Sequence, residues 1–185
     1  MKAMDPRDDI VTHLPALRAF ALSLTQNSAQ ADDLVQDAVV KAWINFGKFE
    51  LGSNLRAWLF TILRNLYYSH RRKQRYEVAD VGGVFAASLV VKPAHDGRLQ
   101  LNDFLAAFRR LSPEQREALL LVGALGFTYE DAAQMCEVPL GTIKSRANRA
   151  RLQIAETLEL TREDRVDSTD TAIKAVMSGL TTRTL

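Results

Sequence analysis

The stretch Tyr129–Arg151, YEDAAQMCEVPLGTIKSRANRAR, holds the side chains whose types and spacing are best suited to chemistry with a partner molecule. Lys144, Arg146, Arg149 and Arg151 are interleaved there with Ser145 and Asn148. On a helix, Ile143, Ala147, Ala150 and Ile154 recur at three- and four-residue spacing and form an inward stripe. The residues left outside are Lys144, Ser145, Asn148, Arg149, Arg151 and Leu152. A face that mixes cations with hydroxyl and amide groups suits the major groove of DNA, where phosphates attract the cations and base edges accept and donate hydrogen bonds. No Asp or Glu occurs from Val138 to Ala155, although the chain carries 22 acidic residues against 24 Lys plus Arg. The competing reading is a solvated basic face on an ordinary helical hairpin. Such a face more often pairs Lys with Glu.

Local signals set out the elements that must position this face. Thr128 followed by Asp131 reads as a helix cap with a shortened capping box. Ala132, Ala133 and Met135 give that first helix a small apolar side, and Pro139 and Gly141 interrupt it before the basic helix starts. Upstream, Ser112-Pro113-Glu114-Gln115 is a helix start with Ser as cap, Pro in the first turn and Gln at the capping-box position. It feeds the apolar run Ala118–Val122, closed by Gly123 and Gly126. Before it, Leu101, Phe104, Leu105 and Phe108 fall at i, i+3, i+4 and i+7.

The N-terminal half is helical as well. Leu14, Leu17, Phe20, Ala21 and Leu24 share one face. After a break at Asn27 and Ser28, a second helix begins near Ala31, with Leu34, Val35, Ala38, Val39 and Ala42 inward and Trp43 at its end, also at an inward position. A third starts near Leu55, uses Trp58, Leu59, Ile62, Leu63 and Leu66, and continues into the basic run Arg71–Arg75. This helix lies in a second acid-free window, Leu51–Tyr76. The two windows cover 44 residues and hold ten of the 24 basic side chains, so charge is segregated although the net charge is only +2. Both project positive potential toward a polyanion.

An all-α protein of two small helical domains follows: a flexible N-terminus over 1–9, a first domain over 10–76, a linker over 77–98, a second domain over 99–160 and a polar C-terminal tail over 161–185. Val84, Phe85, Leu89, Val90 and Val91 make the linker more apolar than a solvated tether. Within the tail, Thr171–Gly179 has the makings of a short helix, though nothing in the pattern demands one.

Several function classes fall away. Cys136 is the only cysteine, which excludes an intramolecular disulfide and a thiolate cluster. Its position in the hairpin marks it as a core thiol. His13, His70 and His95 are too scattered for a metal site, and no cofactor is expected. There is no Gly-rich phosphate loop, Ser/His/Asp set or HExxH pattern, so no catalytic residue is assigned. A polar start and the lack of an apolar run approaching ~20 residues point to a cytoplasmic protein without a membrane partner.

Four blocks in order resemble the extracytoplasmic-function (ECF) sigma factors of the sigma-70 family: ADDLVQDAVVKAW (31–43), LRAWLFTILRNLYYSHRRK (55–73), LSPEQREALLLVGALGFTYEDAA (111–133) and GTIKSRANRAR (141–151). The resemblance spans nearly all of residues 10–158. HDGRLQLNDF (95–104) and LLLVGALGFTYEDAA are similar to one branch, the EcfG-type general-stress-response factors of alphaproteobacteria.

The resemblance implies specific roles. Asp33, Gln36 and Asp37 would dock on the basic clamp coiled coil of the beta-prime subunit of core RNA polymerase. The first domain would open the minus-ten element of promoter DNA and hold a flipped base, which costs a few kcal/mol of stacking. Phe49 would supply a wall, Asn65 a base-edge contact, and Arg64, Tyr68, Arg71 and Arg72 a track for the backbone. In the second domain, Lys144, Ser145 and Asn148 would read minus-thirty-five base edges while Arg146, Arg149 and Arg151 fix phosphates. The implied promoter carries GGAAC and a GTT-containing minus-ten element. The implied regulator is a small anti-sigma protein of the NepR kind, wedged against Val84–Val91 and the helix around Leu101–Phe108. Glu137 stands where family members commonly have Gly; a left-handed backbone there costs about 1 kcal/mol.

A conventional duplex-binding regulator with a sensing first domain is the second reading, disfavoured because a sensing domain has no need of an acid-free window. An all-helical enzyme or adaptor is the third, and lacks a converging polar constellation.

Overall fold

The computed structural model describes residue 7 and residues 9–78, 97–158 and 167–182. The described residues are helical with no strand, and the chain divides into two units, Met1–Leu89 and Val90–Leu185.

The first unit is built from α1 (Asp9–Thr25), α2 (Ser28–Ile44), a 3-10 turn (Phe46–Lys48) and α3 (Leu55–Val78). Asn27 starts α2 three residues earlier than the apolar pattern alone suggests. Its side chain accepts from the Gln30 N–H (3.0 Å), capping the helix at Ser28. Ala31, Ala38 and Ala42 line the buried side of α2, so neighbouring backbones approach closely, with Leu34 filling the space between. Against them pack Leu17, Phe20 and Leu24 of α1 and Leu59, Phe60 and Leu63 of α3. Phe20 and Phe60 meet at 5.2 Å between ring centroids. The buried Tyr67 hydroxyl donates to the Leu24 carbonyl (3.1 Å), which ties α3 to the end of α1.

Trp43 departs from expectation. It is 52% exposed rather than inward, because the buried stripe of α2 runs through Ala38 and Ala42 and leaves residue 43 about 100° away. Trp58 is half-buried, edge-to-face with Phe46 and tilted against Phe49.

The second unit contains α4 (Gly97–Arg110), α5 (Pro113–Leu119), a π turn (Leu120–Ala124), α6 (Tyr129–Cys136), α7 (Leu140–Thr157) and α8 (Asp167–Thr182). Both capping boxes form: Ser112 with Gln115, and Thr128 with Asp131. Glu137 is left-handed (φ 54, ψ 43) and caps α6, its N–H reaching Gln134 O. The turn therefore takes the geometry that glycine would favour, with a glutamate in it. Cys136 is buried.

Two further expectations change here. Phe104, Ala107 and Phe108 are buried where α4 packs against α7 and α8, so these three side chains are engaged within the unit, and Leu105 is half-buried. Residues 167–182 are a helix, longer than the short one that 171–179 allowed, and it packs on the π turn, α4 and α7, burying Thr169, Ile173 and Met177. Val84–Val91 lies outside the described residues.

Candidate nucleic-acid interfaces

Along α3, Arg64, Asn65, Tyr68, Arg71 and Arg72 fall at i, i+1, i+4, i+7 and i+8, which places them on one side of the helix. Leu59, Leu63 and Tyr67 hold the opposite side in the core and so fix its direction. The Arg64 guanidinium lies 4.8 Å from the Tyr68 ring centroid and donates to Asn65 Oδ1 (3.0 Å). Arg71 lies 5.8 Å from the Tyr67 ring. Asn65, Arg71 and Arg72 are exposed, Arg64 and Tyr68 half-buried. The row offers cations, an amide and an aromatic face in series, the combination that binds an unpaired nucleic-acid strand.

Phe49 is half-buried beside α3. Its ring is 5.2 Å from Trp58 and 5.5 Å from Phe46, so it forms the edge of an aromatic cluster. Arg7 covers the cluster from outside, 5.3 Å from the Trp43 ring and 5.4 Å from Phe46. Arg56, to which the sequence pattern gives no individual role, lies 5.7 Å from the Phe60 ring, and burial pulls its guanidinium below the ordinary value.

Asp33, Gln36 and Asp37 are exposed on α2, away from Leu34 and Ala38. Asp37 faces His70 Nε2 at 3.7 Å, and Arg18 engages the neighbouring Asp32 (2.6 Å). The same outer face continues through Val40, 51% exposed, and Ile44, 74% exposed, with Trp43 beside them. Sequence reasoning missed this apolar extension. The spacing 33, 36, 37, 40, 44 is a helical stripe of its own, and its change from acidic to apolar was the available signal.

On α7, Lys144, Asn148 and Arg149 are exposed and Ser145 and Arg146 half-buried. The inward residues are Ile143, Ala147, Ala150 and Ile154. Ser145 Oγ donates to the Thr142 carbonyl (3.0 Å), which leaves its oxygen lone pairs, and not its proton, for an outside donor. Arg151 differs from expectation: it is only 7% exposed. Its Nε and Nη2 donate to the two carboxylate oxygens of Asp170 (3.0 and 2.9 Å), and Nη1 donates to the Tyr129 hydroxyl (3.1 Å). Burial alone would lower this guanidinium, but the hydrogen bonds to Asp170 and Tyr129 reverse that and hold it above the ordinary value. The side chain assigned to a phosphate is therefore engaged within the domain.

Among the described residues no helix is long and apolar enough to cross a membrane, and no group of three or more His, Cys, Asp or Glu could hold a metal ion.

A bundle presenting a basic-aromatic row, followed by a helix-turn-helix whose second helix carries no acid before Glu156, defines a two-module DNA-binding protein. The profile of sigma-70 region 2 matches residues 10–76, and that of sigma-70 region 4 matches residues 101–161. The chain is 49% identical over 173 residues to the ECF RNA polymerase sigma factor EcfG of Rhodopseudomonas palustris, covering 94% of this chain and 95% of that one. It is 37% identical over 122 residues to the ECF sigma factor SigC of Mycobacterium tuberculosis, covering 65% and 66%. Among solved structures it is similar to the sigma factor RpoE of Bartonella quintana, determined in complex with the anti-sigma factor NepR. There the identity is 53%, the TM-score 0.75, and the coverage 84% of this chain and 97% of that one. The PhyRSL–NepR complex of Sphingomonas sp. Fr1 shares the fold at 23% identity and TM-score 0.62, covering 86% and 94%. The chain belongs to the sigma-70 family, as an RNA polymerase sigma factor of the ECF type.

Proposed function

We propose that this sigma factor directs core RNA polymerase to stress-response promoters with a GGAAC-like minus-thirty-five element and a GTT-containing minus-ten element. The first unit melts the minus-ten element and the second reads the minus-thirty-five duplex. The observation that carries this is the row Arg64, Asn65, Tyr68, Arg71 and Arg72 on one side of α3, in a window free of acids. Cations there neutralise strand phosphates, Asn65 meets a base edge, and Phe49 with Trp58 forms an apolar wall beside a flipped base. Lys144, Ser145 and Asn148 read base edges, while Arg146 and Arg149 hold phosphates and fix register.

Asp33, Gln36 and Asp37 dock on the basic clamp coiled coil of the beta-prime subunit, and Val40, Trp43 and Ile44 extend that contact with apolar area. A short helical anti-sigma protein of the NepR kind covers the same surface and so excludes polymerase. Support comes from the kinship with a sigma factor solved together with NepR and from the exposure of Trp43 and Ile44.

The test is reconstitution with core polymerase and transcription from a GGAAC/GTT promoter, against templates altered in either element. Transcription from the intact promoter alone is expected, suppressed when the anti-sigma protein is added first. Equal transcription from all templates would refute the promoter assignment.

A further inference from the structure

Helix α8 lies beyond the part of the chain that the region 4 profile matches, which ends at residue 161, yet it is built into the second unit. Ile173 is 1% exposed and the Asp170 carboxylate holds Arg151 in a two-pronged pair at 2.9 and 3.0 Å. Such a pair fixes direction as well as distance. Arg151 passes that constraint to the Tyr129 hydroxyl at 3.1 Å, and the Tyr129 ring lies 5.9 Å from Lys144 Nζ, within cation–π range. The seat of the carboxylate is specific. A Cβ on Gly123, inside the π turn, would lie 2.8 Å from Asp170 Oδ1.

We propose that Asp170 is a positioning residue for promoter reading. Through Arg151 and Tyr129 it holds an aromatic face against Lys144 and thereby sets the direction in which this ammonium enters the groove. This rests on the reading of α7 as the helix that reads the minus-thirty-five element. A lysine has four side-chain torsions and, unsupported, samples many rotamers; a ring held from behind restricts them before DNA arrives. Arg151 contributes by being withheld from phosphate and used as a strut.

The experiment uses the full chain. Asp170→Asn removes the charge while keeping the shape, Tyr129→Phe cuts the link while keeping the ring, and Gly123→Ala displaces the carboxylate without altering any member of the relay. In nuclear magnetic resonance spectra the Lys144 ε-methylene should be shifted upfield by the Tyr129 ring, and should move toward the free-lysine position in all three variants. With core polymerase added, Asp170→Asn and Gly123→Ala should each lower discrimination between matched and minus-thirty-five-altered promoters by about threefold, the order of one exposed cation–π contact. The salt dependence of binding should stay the same. Circular dichroism checks the fold, and Tyr129→Phe, which leaves the Arg151–Asp170 pair whole, serves if the other two unfold. Unmoved Lys144 resonances would overturn the proposal. So would tighter binding to both promoters with steeper salt dependence, since Asp170 would then be restraining a phosphate contact. Lys144→Ala separates the two layers. If it abolishes discrimination while the relay variants keep it, the relay is wrong and the reading of α7 stands. If it leaves discrimination intact, both fall.

Discussion

The Arg64 guanidinium sits 4.8 Å from the ring centroid of Tyr68, one turn farther along α3, while donating to Asn65 Oδ1. A single arginine thereby orients both its aromatic and its amide neighbour. The Arg64 side chain is itself half-buried, while Asn65 beside it is exposed. The face is arranged before any strand is bound, which lowers the entropy cost of binding one.

Asn65→Ala is expected to slow open-complex formation more than it weakens closed-complex binding, because a base edge is available to α3 only after strands separate. A 2-aminopurine at the flipped position reports opening, measured alongside duplex binding. Unchanged opening kinetics would make Asn65 an ordinary surface residue.

Replacing Asp33, Gln36 and Asp37 together with Ala should weaken association with core polymerase while leaving the melting temperature close to wild type, since none of the three lies in the core. Trp43→Ala should weaken the polymerase and the anti-sigma complexes together. Competition against wild-type factor measures the first, and titration with the inhibitor the second. Normal competition by the triple variant would remove α2 from the docking surface.

Lys144→Ala and Asn148→Ala should each relax minus-thirty-five discrimination by about 1–3 kcal/mol. Arg149→Ala should weaken matched and mismatched promoters alike and flatten the salt dependence. Equal losses on both templates for Lys144→Ala would transfer it to the phosphate group.

His13 gives a pH test. Burial and then the charge of Arg56 lower its pKa, with Asp9 opposing. The folded state therefore takes up a proton less readily than the unfolded chain, whose imidazole titrates near about 6.5. Stability is full above that value and is lost as pH falls from it through the folded-state pKa. Wild type should lose more stability than His13→Gln between neutral pH and mild acid, read by urea unfolding. Parallel losses in the two proteins would show that His13 is not a source of the acid sensitivity.

Features governed by neighbours in sequence were legible. The Ser112–Gln115 and Thr128–Asp131 caps, the stripes Leu17–Phe20–Leu24 and Ile143–Ala147–Ile154, and the common side of Arg64, Tyr68 and Arg71 follow from spacing alone. What escaped depends on contacts distant in sequence. Nothing local marks Arg151 as buried; its partner Asp170 lies 19 residues later, on a helix whose Thr-rich sequence looks solvated. Trp43 was misplaced because apolar character alone does not decide which of two stripes on α2 faces inward. The small residues Ala38 and Ala42 decide it, by letting helices approach closely.

In the π turn the Leu125 N–H reaches back five residues to the Leu120 carbonyl (2.9 Å), and the Phe127 N–H bonds Leu121 O (2.9 Å). The helix thus ends on one widened turn with an extra residue, so the point at which the chain leaves it, at Gly126 (φ 70), is rotated by about 100° from where a turn one residue shorter would release it. Losing a single residue between 120 and 124 would heal the helix and swing Phe127 and the start of α6 away from the positions that α7 and α8 are shaped to receive. The segment should thus tolerate exchange of side chains far better than a change of length. Insertions and deletions there should therefore displace α6 within the second unit where substitutions would not.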